Sequence, residues 1–161
     1  MVKNGKNDIF TSMIIGQYSA RAESNGRVML PKKVRQFFKT KKLIITKGYD
    51  GCLLLVEPGQ FQQVIQEVIS HSFLNPDKRD TERFLLGSAF ELEIDPHGRI
   101  IIPEALKSYA QIKQDLTFIG LGNRVEIWSA PNWLKHQQHL TQQAPKIAKR
   151  LIKPANLNNT L

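Results

Sequence analysis

Basic side chains concentrate in one short part of the sequence, and their types are those that bind phosphate groups. Residues 20–47 contain nine lysines and arginines and a single acid, Glu23. Lysine neutralises a phosphate as a compact charge, whereas arginine can make two parallel hydrogen bonds to a phosphate or a guanine edge. Across 161 residues, 23 basic and 14 acidic side chains give a formal charge of +9. This excess favours a polyanionic partner, with a solvated basic surface as the alternative.

Arg27 is the side chain that we single out, because it lies on a predicted hairpin directly after a glycine. A two-stranded ribbon can enter the major groove of DNA and present an arginine to the base edges. In the alternative interpretation, Arg27 and Arg99 pair with the carboxylates of Glu23 and Asp95 and brace their own turns. Both interpretations can hold at the same time, since a carboxylate can orient an arginine that also contacts DNA. The candidate DNA-binding residues are Arg21, Arg27, Lys32, Lys33, Arg35 and Arg99.

An internal repeat places these side chains on equivalent elements. Residues 23–38 align with residues 95–110 at an offset of 72, and one residue is added further downstream. Each copy reads acid, two residues, Gly-Arg, three apolar residues and Pro. Gly26 and Gly98 suit a positive φ in a hairpin turn. The repeat therefore predicts that both Gly-Arg pairs lie in the same kind of turn.

Each copy is predicted to contain a strand, a tight turn, a strand, a short helix, two further strands and a helix. Apolar residues alternate before each turn, which indicates a strand. Pro31 and Pro103 suit a first helical turn, where no amide donor is needed. Apolar residues from Phe61 to Ile69 have the spacing of a helix that faces the core. In the first copy, strands are expected at about 16–22, 27–30, 43–48 and 52–57.

The two copies share their apolar pattern but not their charge. The window 92–119, which is equivalent to 20–47, contains three basic and four acidic side chains. Folding requirements explain the shared apolar pattern, and they do not explain the difference in charge. We therefore hypothesise that the first copy makes most of the phosphate contacts, with an affinity that falls steeply as salt rises.

The doubled motif resembles the MraZ family, as do residues 48–53 in the first copy and residues 124–129 followed by Trp133 in the second. The resemblance covers about residues 13–135. It implies a mainly β, α+β fold with short helices: a double-psi or swapped-hairpin barrel of the AbrB (SpoVT-AbrB) type, made of two tandem repeats with an internal pseudo-twofold axis. A second copy also covers strand edges that one small module would expose. Glu23 departs from the Asp that usually opens the first motif.

The resemblance also implies a function. Members of the family are sequence-specific DNA-binding transcriptional regulators, mainly repressors, of the cell-division and cell-wall gene cluster that contains their own gene. They bind short promoter repeats as closed rings, so a homo-oligomer in the cytoplasm, associated with the nucleoid, is expected. Several modules on repeated sites gain affinity through effective concentration. The alternative is a basic RNA-binding or scaffold ring protein without sequence-specific regulation.

Other motifs predict little further chemistry. The sequence lacks a nucleophile elbow, a zinc-binding spacing and a glycine-rich phosphate loop, so we predict no enzyme activity, cofactor, metal or small-molecule substrate. His136 and His139 stand three apart without a further ligand nearby. No apolar stretch is long enough to span a bilayer, so no membrane partner is expected. The single cysteine, Cys52, is interpreted as a buried small hydrophobe, which fits a reducing cytoplasm.

Five segments are predicted along the chain. They are a disordered extension at 1–12, a first AbrB-like module at 13–70, a linker with a short helix at 71–86, a second module at 87–140 and a basic C-terminal tail at 141–161. Four apolar residues between Ile147 and Ile152 fit one face of a helix in the tail. A basic amphipathic helix can contact DNA, a membrane surface or a neighbouring subunit. Packing on its own barrel and a disordered tail are the alternatives.

Overall fold

The strands and helices predicted from the repeat are present in both copies of the computed structural model, which describes residues 13–69 and 72–152. The strands are β1 (Ile14–Arg21), β2 (Arg27–Met29), β3 (Lys42–Lys47), β4 (Leu53–Val56), β5 (Phe90–Glu93), β6 (Arg99–Ile101), β7 (Asp115–Gly122) and β8 (Val125–Ser129). The helices are α1 (Lys32–Phe37), α2 (Pro58–Ile69), α3 (Pro76–Leu85), α4 (Glu104–Tyr109) and α5 (Ala130–Ile152). The predicted extension at 1–12 and the last part of the tail, 153–161, lie outside the described residues.

Strand order confirms the pseudo-twofold relation between the copies. Six antiparallel strands form one sheet in the order β1-β7-β8-β4-β3-β5, and β2 pairs with β6 in a separate ribbon. When each strand is replaced by its equivalent in the other copy (β1 by β5, β3 by β7 and β4 by β8, and the reverse), the result is the same strand order read from the opposite edge of the sheet. The axis therefore passes between β4 and β8 and between β2 and β6, and each copy's first strand pairs with the other copy's third.

The α+β class is confirmed, but the predicted closed barrel is not. In the described chain, β1 and β5 are opposite edges of the sheet. The ribbon strands are three residues long, and Pro31 and Pro103 follow them without an N–H group to extend the pairing. In the described chain, one isolated antiparallel bridge connects Val28 of β2 to Ala22, the residue directly after β1. The ribbon thus caps the sheet instead of closing it.

The core consists of pseudo-equivalent apolar side chains from both copies. Each of these side chains is at most 1% exposed, so the core has the same symmetry as the strands. The matched pairs are Val28 with Ile100, Leu30 with Ile102, Val34 with Leu106, Leu43 with Leu116 and Ile45 with Phe118. Removing any one of these large side chains costs about 2–5 kcal/mol in a typical core.

The segment predicted as a linker contains α3, which is fixed to the sheet. Asn75 caps the helix, because its side chain accepts hydrogen bonds from the N–H groups of Asp77 at 2.9 Å and Lys78 at 3.3 Å. At the other end, the buried hydroxyl of Thr46 on β3 donates to the carbonyl of Leu85. α3 is therefore part of the folded unit, while the module boundaries stay a prediction.

All eight strands belong to a compact unit that ends at Ala130, and a second unit starts at Pro131 with nearly all of α5. α5 has 23 residues and runs through Pro145, crossing the predicted boundary between the second module and the tail. Its charged residues are all basic: Lys135, Lys146, Lys149 and Arg150. No helix in the described parts of the chain is long and apolar enough to cross a bilayer.

Candidate nucleic-acid interface

The two Gly-Arg motifs meet on the ribbon of β2 and β6. Val28 lies opposite Ile100, and both side chains are buried against the core. Because side chains alternate along a strand, the flanking residues face outward. The outward residues are Arg27, Met29, Arg99 and Ile101, with each arginine opposite an apolar side chain that is about half exposed. Two guanidinium groups beside two apolar side chains can contact guanine and the methyl group of thymine.

Tight turns at Glu23–Gly26 (the first turn) and Asp95–Gly98 (the second turn) hold the ribbon. Their glycines have φ values of 81° and 80°, which confirms the prediction from the sequence. The turns are exchanged between copies, because Leu30 donates its N–H to the carbonyl of the glycine in the second turn at 3.0 Å. Ile102 donates in the same way to the glycine of the first turn at 2.9 Å. Each copy therefore fixes the turn of the other.

Arg99 is bound tightly to its own turn. Its Nε lies 2.7 Å from Asp95 Oδ2, and the other oxygen of Asp95 accepts the N–H groups of Arg99 at 2.9 Å and His97 at 2.8 Å. Desolvation acts to raise the pKa of Asp95, but these hydrogen bonds outweigh it and hold the pKa below its ordinary value. For Arg99, the bracing interpretation is the one observed.

Arg27 is held differently from Arg99. Its N–H donates to Asn25 Oδ1 at 3.0 Å, so Asn25 takes the main-chain role that Asp95 has in the second turn. Glu23 has one more methylene than Asp95, and its carboxylate is not bonded to Arg27. Within residues 13–69 and 72–152, the guanidinium group of Arg27 has no hydrogen-bond or ion-pair partner. It is therefore the ribbon arginine whose charge is available.

Arg35 and Lys107 occupy pseudo-equivalent helix positions, and each covers the turn of the opposite copy. A Cβ atom added to Gly98 would overlap the guanidinium group of Arg35, while one added to Gly26 would lie 3.4 Å from Lys107 Cδ. Lys107 is only 7% exposed and its Nζ is 3.3 Å from Glu104 Oε2. Arg35 is exposed, so it brings a first-copy charge to the second turn.

The other predicted cations lie outside the ribbon. Arg21 is at the end of β1, with its Nε 3.4 Å from Asp115 Oδ1, and both side chains are mostly exposed. Such a pair contributes little, about 0–1 kcal/mol, and does not prevent a contact with phosphate. Lys32 and Lys33 are exposed on α1 and have no ion-pair partner in the described residues. The structure thus brings Arg27, Arg99 and Arg35 to the turns and leaves three cations at the periphery.

The surroundings of the ribbon differ in charge between the copies. A cavity of about 400 Å³ lies beside Arg27 and Arg99. The carboxylates on its wall belong to Glu91, Glu93 and Asp95. In the first copy, the positions equivalent to Glu91 and Glu93 are Ser19 and Arg21. Glu91 and Glu93 therefore make the second-copy side of the ribbon more acidic than the first-copy side, where a serine and an arginine take their places.

Sequence reasoning missed three contributors to this surface. Met29 and Ile101 stand two positions after the arginines, so strand alternation could have placed them on the same face. Asn25 aligns with His97 and not with Asp95, so comparing the two turns in the sequence gives no sign that it takes over a hydrogen bond of Asp95. Its hydrogen bond with Arg27 depends on turn geometry, which the residue type does not determine.

Within the described residues, the histidine pair on α5 has no third ligand that would complete a metal site. The rings of His136 and His139 are 6.3 Å apart, and His136 also lies 6.3 Å from the ring of Trp133. No group of three or more His, Cys, Asp or Glu residues in the described chain could hold a metal ion. The pair is thus an aromatic row on one helix.

The palindromic strand order, the exchanged turns and the arginine-bearing ribbon define a class: α+β proteins in which two tandem hairpin modules interleave within one chain. A family model described as "MraZ protein, putative antitoxin-like" matches residues 13–84 and again residues 85–155. The chain belongs to the MraZ family. The resemblance noted in the sequence is confirmed, and the two matches correspond to the two copies of the repeat.

Relatives of similar length carry one common name. A protein of Caldanaerobacter subterraneus subsp. tengcongensis is 35% identical over 139 residues, covering 86% of this chain and 96% of the relative. A protein of Syntrophomonas wolfei is 34% identical over 140 residues, covering 87% and 97%. A protein of Heliobacterium modesticaldum is 31% identical over 140 residues, with the same coverage. Each of the three is named transcriptional regulator MraZ.

Proposed function

We propose that this chain is a sequence-specific DNA-binding transcriptional regulator that contacts DNA through the ribbon of β2 and β6. The name shared by the relatives supports the regulatory part. The contact with DNA rests on one observation: the outward face of the ribbon carries Arg27, whose guanidinium group has no partner in the described chain. Arg27 then makes the bidentate contact with a guanine or a phosphate, and Met29 and Ile101 contact apolar base edges.

The two copies contribute unequally to this contact. Arg21, Lys32, Lys33 and Arg35 belong to the first copy, and in the proposal they neutralise phosphates along the duplex. Asp95 holds the side chain of Arg99 against its own turn. Arg99 therefore stabilises the shape of the ribbon more than it supplies charge to the DNA contact. The acids Glu91 and Glu93 repel phosphate on the second-copy side. The duplex therefore lies towards the first copy.

The assembly and the regulatory target complete the proposal. One ribbon offers few base contacts, so we propose that a homo-oligomeric ring presents several ribbons to short promoter repeats. Its target is the cell-division and cell-wall cluster that contains its own gene, which it represses. The protein acts in the cytoplasm, at the nucleoid, and without catalysis. The affinity then depends on the number of promoter repeats through the effective concentration of neighbouring ribbons, without any new kind of contact.

Competition binding tests sequence preference. The full-length protein is titrated with the DNA upstream of its own gene, against a scrambled duplex and a single-stranded RNA of equal length at physiological salt. The upstream DNA should win by a factor on the order of 10³. Equal affinity for the scrambled duplex, or tighter binding to RNA, would contradict the proposal and favour the scaffold or RNA-binding alternative.

A pair of lysine variants tests the unequal contribution of the copies. Lys33→Gln removes an exposed first-copy charge, whereas Lys113→Gln removes an exposed charge from the second copy. Lys33→Gln should weaken binding and lower the salt dependence by about one unit of slope, because one fewer counterion is released. Lys113→Gln should change neither quantity, and equal losses for both variants would contradict the proposed asymmetry.

A further inference from the structure

Two strand seams join the copies, and they carry opposite charges at equivalent positions. In the first seam, β1 pairs with β7 and Arg21 lies opposite Asp115, with Nε and Oδ1 3.4 Å apart. In the second seam, β3 pairs with β5 and Lys42 lies opposite Glu93. The pseudo-twofold relates Arg21 to Glu93 and Lys42 to Asp115. At these two seam positions the charge of the first copy is thus reversed in the second, and each of the four side chains lies opposite a residue of the other sign.

Pairing of like modules would lose this complementarity. In the same register, two first modules would place Arg21 opposite Lys42, and two second modules would place Glu93 opposite Asp115. Like charges directly opposite each other on neighbouring strands are destabilising, whereas opposite charges are favourable. The backbone topology is palindromic and allows both kinds of pairing, so the side chains decide between them.

A close backbone approach at the other end of the first seam also favours pairing of unlike modules. β1 continues to Ile14, and a Cβ atom added to Gly120 on β7 would meet the carbonyl carbon and oxygen of Ile14 at 2.8 and 2.9 Å. The position equivalent to Gly120 in the first copy is Lys47. The full length of β1 can therefore lie against the β7 of a second module and not against the β3 of another first module.

We propose that the two seams form a selective interface whose partner is always the unlike module. The first module accepts a second module, from its own chain or from an exchanged hairpin of another copy, and discriminates against another first module. The discrimination uses the two charge-reversed pairs at one end of the seams and the Ile14–Gly120 approach at the other. This selectivity concerns folding and assembly, and it does not depend on DNA binding.

Urea unfolding of full-length charge variants tests the electrostatic part. The first variant combines Arg21→Asp with Lys42→Glu, the second combines Glu93→Lys with Asp115→Arg, and the third carries all four changes. Each double variant should lower the unfolding midpoint by roughly 0.5 M, because both seams then oppose like charges, and the fourfold variant should return to within about 0.2 M of the parent.

Net charge alone predicts a different pattern. The first double variant lowers the net charge of this basic chain by four and the second raises it by four, so a non-specific effect would have opposite signs in the two. The proposal is overturned if either double variant keeps the parent midpoint, or if the fourfold variant is as unstable as the two losses combined.

Glycine variants test the steric part. Gly120→Ala should lower the urea midpoint by about 1 M, since the main chain at Ile14 must move. Gly59 in α2 is the matched control, because an added Cβ meets nothing within 4 Å there and alanine favours a helix. A midpoint for Gly120→Ala as high as that of Gly59→Ala would remove the steric contribution from the proposal.

Discussion

The first and second turns have nearly the same backbone and differ in what holds their arginines. Their glycines have φ values of 81° and 80°, and each accepts one hydrogen bond from the other copy. In the second turn Asp95 binds both the main chain and the side chain of Arg99. In the first turn Asn25 binds only the main chain of Arg27. Glycine and packing therefore set the conformation of the turn, and the acid sets the freedom of the arginine side chain.

The largest effect is expected from substitutions of the glycines whose backbone conformation the two turns share. Gly26→Ala should lower the free energy of unfolding by about 3 kcal/mol, because alanine is strained at this φ and its Cβ would meet Ile102 O at 2.6 Å. Gly98→Ala should cost less, because its obstacle is the movable side chain of Arg35. Gly51→Ala has the same φ and no neighbour within 4 Å, so it measures the strain alone. Chemical denaturation gives the three values, and a Gly26→Ala loss no larger than that of Gly51→Ala would contradict the close approach.

The acids that open the two turns, Glu23 and Asp95, should differ in how much they stabilise the fold and in how that stability depends on pH. The folded state lowers the pKa of Asp95, so the stability it contributes is present above its unfolded pKa of about 3.9 and is lost as pH falls through the folded value. Asp95→Asn should therefore be less stable than the parent at pH 7, and the two stabilities should converge in acid. Glu23→Gln should match the parent at pH 7, because Glu23 makes no ion pair with Arg27. Thermal unfolding across a pH series checks this, and a deficit of Asp95→Asn that does not shrink as the pH falls below the unfolded pKa would contradict the ionic origin.

The smallest predicted effect concerns a buried position at which the copies differ in residue type. Cys52 is 1% exposed, and its pseudo-equivalent Val125 is fully buried. Burial, followed by the nearby charges of Glu126 and Asp50, raises the pKa of the Cys52 thiol well above its ordinary range. We expect no alkylation of the native protein by iodoacetamide at pH 8, and a change below about 1 kcal/mol for Cys52→Val. Rapid native-state alkylation would show that the thiol is accessible.

Much of the fold could be predicted from the repeat. The doubled Gly-Arg and Pro positions predicted both turns and the start of α1 and α4, because few residues other than glycine tolerate the required φ. The charge reversal was visible as a difference between windows. Its pairing partners were not, because Arg21 and Asp115 are brought together only by the exchange of strands between copies.

The rest depended on geometry that residue types do not specify. The repeat did not indicate that β2 and β6 would stay apart from the sheet, since strand length and the proline positions decide whether a barrel closes. It also left open whether Arg27 or Arg99 would be held by its neighbouring acid. One methylene and the placement of Asn25 decide that outcome. The end of the repeat predicts a module boundary at residue 140, whereas α5 continues through Pro145 to Ile152.

The most direct test of the proposed contact measures binding of the upstream DNA across a salt series for the parent, Arg27→Ala and Arg99→Ala. Arg27→Ala should weaken binding by about 10- to 100-fold and reduce the salt slope by about one unit, while Arg99→Ala should change the slope less because Asp95 already neutralises that arginine. An Arg27→Ala protein with the affinity and slope of the parent would contradict the assignment of DNA contact to the ribbon.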